Sequence, residues 1–178
     1  MFRGAVADLV QEALDALSSS APSAGDGATS PSPVRVAIVG DVALGRALRN
    51  MQRRELAAHP ERPARELIIV VEPEARVARK LDGLLRGPAA AIPLEDGALD
   101  ALVGVGALTA DPASPKLAEW MRVVRPGGGV VLVDRVARTQ ATRLALCAGL
   151  TELEQRAAAR AVVTSGRVAS LELMGRNG

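Results

Sequence analysis

Few residues in this sequence can do chemistry, and they fall at the ends of apolar runs. Gly40-Asp41-Val42-Ala43-Leu44-Gly45 follows the run VRVAIV and leads into a helical pattern. A glycine at such a turn lets the backbone approach a ligand closely, and a helix start offers unpaired N–H groups. A nucleotide-binding turn needs glycines at the first, third and sixth positions. The third here is Val42, so only Gly40 and Gly45 fit, and a tight turn without a ligand stays open as the alternative. Glu72 follows the run LIIVV, where an acid can accept from both hydroxyls of a ribose. Followed by Pro73 and Glu74, it equally suits the positive end of a following helix. For proton transfer the ionisable candidates are Asp134, after GVVLV, and Asp111, both of which also suit loop caps. His59, in AHPERP, reads as a surface residue, and Cys147, in an Ala/Leu run, as a small buried hydrophobe. No residue is assigned as catalytic.

The rest of the inventory sharpens this by exclusion. The 178 residues include one Cys, one His, one Trp, one Phe and no Tyr. Disulfide frameworks, Cys/His zinc sites and aromatic base-stacking platforms cannot be built from that set, and no metal site is expected. Lys and Arg number 22 against 20 Asp and Glu, too small an excess for a nucleic-acid or membrane-surface footprint despite a pI near 9.3. The chain is 48% hydrophobic with mean hydropathy +0.16, enough to bury an ordinary core. No apolar run approaches 18 residues and the N-terminus does not read as a signal peptide, so a soluble, cytoplasmic protein is expected.

The elements that must position these residues follow from periodicity. Residues 1–17 carry Val6, Leu9, Val10, Ala13, Leu14 and Leu17 at helical spacing, opposite Asp8, Glu12 and Asp15. Residues 18–33, SSSAPSAGDGATSPSP, read as a flexible linker. Residues 34–178 then alternate apolar runs with helical patterns. Strands are expected at 34–39, 67–71, 101–105, 129–133, 152–157, 160–165 and 168–173, with a short apolar segment at 89–92. Helices are expected over 43–58, from Pro73 to about Leu85, over 115–124 and over 139–148. Runs apolar on both faces that alternate with helices predict a doubly wound, mostly parallel α/β sheet with helices on both faces. Ligands in such folds sit beyond the carboxyl ends of the strands, which points to the residues around Val39, Val71, Ile92, Val105 and Val133.

Two segments carry a family resemblance. Pro93-Leu94-Glu95-Asp96-Gly97-Ala98-Leu99-Asp100-Ala101-Leu102-Val103 resembles the LPF-x-DGSFD-x-V segment of class I S-adenosylmethionine-dependent methyltransferases. Leu117 to Val133, with Glu119, Arg122 and Arg125-Pro126-Gly127-Gly128, resembles the L-x-E-x-x-R-V-L-[KR]-P-G-G segment of the branch that includes the ubiquinone/menaquinone-biosynthesis methyltransferases. Ala148-Gly149-Leu150 is similar to that branch's A-G-F turn. The resemblance implies a Rossmann-like methyltransferase fold and S-adenosylmethionine as cofactor, held around Gly40, Asp41, Gly45, Glu72, Ile92 and Val105.

The cofactor loops depart from the family pattern. Ile38 stands where the family has an acid, Val42 replaces the middle glycine, and Pro88 replaces the acid that pairs with the adenine amino group. Each lost contact costs on the order of 1–3 kcal/mol. Two functions are therefore compatible with the sequence. One is a methyltransferase-like protein whose degraded motifs leave it without activity, acting as an interaction module. The other is an active small-molecule or protein methyltransferase that binds its cofactor through Gly40, Gly45 and Glu72. An NAD-binding oxidoreductase would not carry the Arg-Pro-Gly-Gly and Asp-Gly-x-x-Asp segments. The N-terminal helix is the expected contact for a protein partner or a second copy; no nucleic acid or membrane is expected as a partner.

Overall fold

The computed structural model describes residues 2–19, 33–77, 82–108, 115–158 and 161–169. Most of the linker, Asp111, the middle of the helix expected after Pro73 and the expected strand beyond Ala169 lie outside them.

Parallel pairing needs a crossover between strands, and the alternation of runs supplies one each time. After α1 (Phe2–Ser19) come β1 (Val34–Val39), α2 (Val42–Ala58), β2 (Arg65–Val71), β3 (Leu84–Arg86) and β4 (Leu99–Val105). They are followed by α3 (Pro115–Val123), β5 (Val124–Asp134), α4 (Arg138–Cys147), β6 (Leu150–Ala158) and β7 (Ala161–Val168). The seven strands form one sheet in the order β3-β2-β1-β4-β5-β7-β6. β1 to β5 pair in parallel, and β7 enters antiparallel between β5 and β6. The order reverses beside β1, which pairs with β2 on one side and β4 on the other.

Alternation along β1 sends Val36 and Ile38 to one face and Ala37 and Val39 to the other, all at most 1% exposed. The first face is covered by α1 and α2 through Val10, Leu14, Leu44 and Leu48; the second by α3 and α4 through Leu117, Trp120, Ala141 and Leu144. Each fully buried side chain of this size contributes about 1.5–3 kcal/mol, so the two cores fix the sheet from both sides. α1 is thereby part of the sheet's own packing: the apolar face expected to meet a partner is buried within the chain. Polar contacts hold its rim, with Gln11 donating to Asp15 and Glu55, and Arg167 Nη2 donating to the Leu17 carbonyl at 2.7 Å.

Three local expectations need correction. Leu84 and Leu85, read as the end of a helix, belong with Arg86 to an edge strand in register with Ile69–Val71. Tertiary pairing overrides the helical pattern there. The apolar segment 89–92 is a turn rather than a strand, because its backbone groups are bonded by α3. Cys147 ends α4 on the exposed side, so it is no core residue. His59 lies exposed at the C-cap of α2, with Nδ1 3.3 Å from Glu61.

The two motif segments turn out to be joints between elements. Asp100 on β4 accepts from the Arg35 N–H of β1 at 2.8 Å and from Arg125 Nε of β5 at 2.8 Å, tying three strands together. Gly127 supplies the positive φ of 73° that lets Arg125-Pro126-Gly127-Gly128 bend into the long inner part of β5.

Candidate functional site

The carboxyl ends of β1, β2 and β3 enclose a cavity of about 160 Å³ beside the point where the strand order reverses. Its wall includes Val39, Gly40, Val42, Glu72, Ala75 and Ala89. It is smaller than the roughly 300–1,000 Å³ usual for a complete ligand site.

Gly40 turns the chain at φ 93°, and a Cβ there would stand 2.7 Å from the Val105 carbonyl oxygen. The glycine is thus required by the approach of β4 to β1, independently of any ligand. Gly45 lies deeper in α2, where a Cβ would come 2.8 Å from Ile69 Cδ1; it seats the helix on the sheet. Asp41 caps α2, its Oδ1 accepting from Ala43 N–H at 2.8 Å and Leu44 N–H at 3.0 Å. The donors at that helix start are therefore already engaged by a carboxylate. Val42, at the position of the missing middle glycine, forms part of the cavity wall.

Glu72 is exposed at the end of β2, and its Oε1 accepts from the Ala89 N–H at 3.1 Å across the cavity. The backbone of Glu72 also accepts, from the Ala75 N–H at 3.0 Å. These bonds hold the carboxylate at the rim, and Oε1 keeps a second lone pair while Oε2 has no hydrogen bond among the described residues. Of the residues the sequence singled out, the structure brings Gly40 and Glu72 together at the cavity and Val105 against Gly40. Ile92 stands apart. It is 2% exposed, its N–H donates to Glu119 Oε1 at 2.7 Å, and its carbonyl accepts from Arg122 at 3.2 Å. Asp134, also buried, accepts from the Leu108 N–H at 2.8 Å and so anchors the loop after β4.

Several residues that shape the site were not visible as such. Trp120 is 1% exposed and donates from Nε1 to the Ala89 carbonyl at 2.9 Å, fixing from below the residue that Glu72 grips from above. Gly104 makes room for it. Glu119 and Arg122 hold the turn after Ala89 through Ile92 and Leu94, and Arg122 also reaches Asp96. The Arg122 guanidinium bonded to Glu119 keeps that carboxyl below its ordinary pKa, aided by the Ile92 N–H and opposed by burial. Glu119 and Asp96 in turn raise the pKa of Arg122. The i,i+3 spacing of Glu119 and Arg122 was a readable sign of this pair; its reach to Ile92 and Leu94 was not. Among the described residues no group of three or more His, Cys, Asp or Glu could hold a metal ion, and no helix is long and apolar enough to cross a membrane.

No family model matches the chain, and no curated protein matches it. Solved structures do. Human N-acetylserotonin methyltransferase in complex with SAM is similar at 11% identity and TM-score 0.58, over 76% of this chain and 48% of that one, so the chain spans about half its length. A chain from the complex between the Haloferax volcanii Trm112 methyltransferase activator and a methyltransferase is similar at 17% identity and TM-score 0.55, over 77% and 83%. The [4+2]-cyclase SpnF is similar at 14% identity and TM-score 0.58, over 94% and 95%. With the observed strand order, these likenesses establish a Rossmann-like methyltransferase fold, with its mostly parallel sheet and a helix before the first strand. One of these neighbours is named for a cyclisation, so the fold alone does not fix the reaction.

Proposed function

We propose that the chain is an S-adenosylmethionine-dependent methyltransferase-like protein that retains the sugar-binding part of the cofactor site. The observation that carries this reading is the Glu72 carboxylate, held by Ala89 at the rim of the cavity with acceptor capacity to spare. Glu72 accepts from the ribose hydroxyls, the Gly40 turn lets the ligand pass close to the backbone, and Val39 and Ala75 cover its apolar side. Gly45 and Val105 act one step back, by seating α2 and β4 around that turn. Asp41 is committed to the α2 cap, and Ile92 acts through the floor beneath Ala89 rather than by touching the ligand. When bound, S-adenosylmethionine supplies an electrophilic methyl group. The cofactor complex of human N-acetylserotonin methyltransferase supports this ligand. The resemblance of the motif segments supports a place beside the ubiquinone/menaquinone-biosynthesis branch, in a cytoplasmic setting.

A second reading, a module without methyl transfer, is favoured by Asp134. This carboxylate, which the sequence offers for proton transfer, is buried, and its Oδ1 is engaged by the Leu108 N–H. The complex with a methyltransferase activator supports a protein partner for such a module.

Calorimetric titration with S-adenosylmethionine and S-adenosylhomocysteine tests the cofactor reading. Binding is expected, and Glu72→Ala is expected to weaken it by at least about tenfold through loss of two charge-assisted hydrogen bonds. Absence of heat at millimolar ligand would overturn it. Bound cofactor without methyl transfer to any acceptor would favour the second reading.

A further inference from the structure

α2 packs inward through one face and carries its charge on the other. Leu44, Gly45 and Leu48 are buried, and Glu55, the single acid of the helix, accepts from Gln11 of α1 at 3.2 Å and from Arg62 at 3.0 Å. Helical spacing places Arg46, Asn50, Arg53 and Ala57 on the opposite face, with Arg49 and Arg54 at its flanks. Asn50, Arg53, Arg54 and Ala57 are exposed and Arg46 is half-buried. Among the described residues the guanidinium groups of Arg46, Arg53 and Arg54 have no carboxylate or other hydrogen-bonding partner. Arg49 Nη2 donates to the Leu67 carbonyl at 2.9 Å. Burial lowers the Arg49 pKa, Asp82 opposes that shift, and the like charge of Arg53 adds to it, so these two arginines repel each other. The neighbouring acids of α1 are engaged elsewhere, Glu12 by Arg156 and Asp15 by Arg65. The small net charge of the whole chain thus conceals a helix face with arginines and no acid.

We propose that the outer face of α2 is a docking surface for the phosphodiester backbone of a nucleic-acid duplex, held through Arg46, Arg49, Arg53 and Arg54 without regard to base sequence. This role does not rest on cofactor binding. A guanidinium presents a planar fork of donors that matches a phosphate. Arg46, Arg49 and Arg53 recur at i, i+3 and i+7, a stripe about 10 Å long at the helical rise of about 1.5 Å per residue. A lipid surface requires apolar side chains that insert, and a protein partner requires an apolar interface core; between its arginines this face carries only Asn50 and Ala57. Single strands are held by stacking on aromatic side chains, and this face has none. A row of phosphate contacts needs neither apolar nor aromatic groups, and it positions a duplex without reading its bases.

Fluorescence anisotropy of the full chain with RNA and DNA duplexes of one sequence, across a salt series, tests this surface. Both duplexes are expected to bind within about threefold of each other, with log affinity falling against log salt at a slope of about −3 to −4, as four phosphate contacts require. Arg46→Gln and Arg53→Gln are each expected to flatten that slope by about one while melting at the parent temperature, since neither guanidinium is bonded within the chain. Arg143→Gln, which removes the same charge from an exposed position on α4 across the sheet, is expected to leave the slope unchanged. No binding at about 50 mM salt, an unchanged slope in the α2 variants, or an equal loss in Arg143→Gln would overturn the surface. A preference of about tenfold for either duplex would overturn contact through the backbone alone. Binding about tenfold tighter to a single strand or to phosphatidylserine vesicles would overturn the duplex as the occupant.

Discussion

A Cβ added to Gly104 would collide with Cζ3, Cε3 and Cη2 of the Trp120 ring, closer than non-bonded carbons can approach. The indole cannot retreat, because it is fully buried and its N–H is bonded to the Ala89 carbonyl. Gly104→Ala is therefore expected to destabilise the fold by roughly 3 kcal/mol, the upper end of overpacking costs, read as a lower denaturation midpoint with an unchanged slope. A midpoint within experimental error of the parent would show that the ring has room to move. This contact also marks the limit of reading residues one at a time. Glu72 was legible because an acid directly after five apolar residues must emerge at a strand end. Gly104 was one glycine in a bland stretch, since nothing in its neighbours reveals that a tryptophan from a later helix lies on it. Gly40 was legible as a turn, but its reason is different. The carbonyl of Val105, distant in sequence, occupies the space that a side chain would need.

α3 acts as an element through the acid and base it carries. Glu119 is only 13% exposed in its side chain, pairs with Arg122 and takes the Ile92 N–H. Its pKa is lowered by the Arg122 hydrogen bond first. A carboxyl with a depressed folded-state pKa binds its proton more readily in the unfolded chain. Its stabilisation is therefore complete above the ordinary glutamate range, near pH 4.3, and is lost as pH falls through the lower folded value. Glu119→Gln is expected to cost about 1–3 kcal/mol at neutral pH and to flatten the loss of stability below about pH 4.3, measured by urea unfolding across an acid series. A parallel pH dependence in parent and variant would remove Glu119 as the source. The element scale is also where periodicity gave out. The pattern after Pro73 reads as a helix to Leu85, yet its last two residues lie with Arg86 at the sheet edge, because pairing to Ile69–Val71 satisfies backbone groups that a three-residue run cannot advertise. The longer apolar runs inside β1, β2, β4 and β5 needed no such help.

At the scale of the molecule, the parallel sheet has two apolar faces, and each must be covered by helices from the same chain or by something else. On the face bearing Val36, Ile38 and Val103 the covering helices are α1 and α2, so a helix that reads in sequence as a separate tethered piece completes one of the two cores. Its separateness was inferred from the composition of residues 18–33, which says only that the connection contributes little to burial. It carries no information on where the helix ends up. Leu14, 2% exposed in that core, measures the dependence: Leu14→Ala is expected to cost roughly 2–5 kcal/mol, the range for a buried leucine truncated in a packed interior. Removing residues 1 to 33 altogether should leave Ile38, Val103 and Val131 without their cover, producing a contiguous apolar surface large enough to drive association. Light scattering on the truncated chain is expected to show oligomers or aggregates where the full chain shows none of that growth. A truncated chain that stays the size of one copy and melts at the parent temperature would mean that α1 rests on the sheet without supporting it, and would return the helix to service as a contact for another protein.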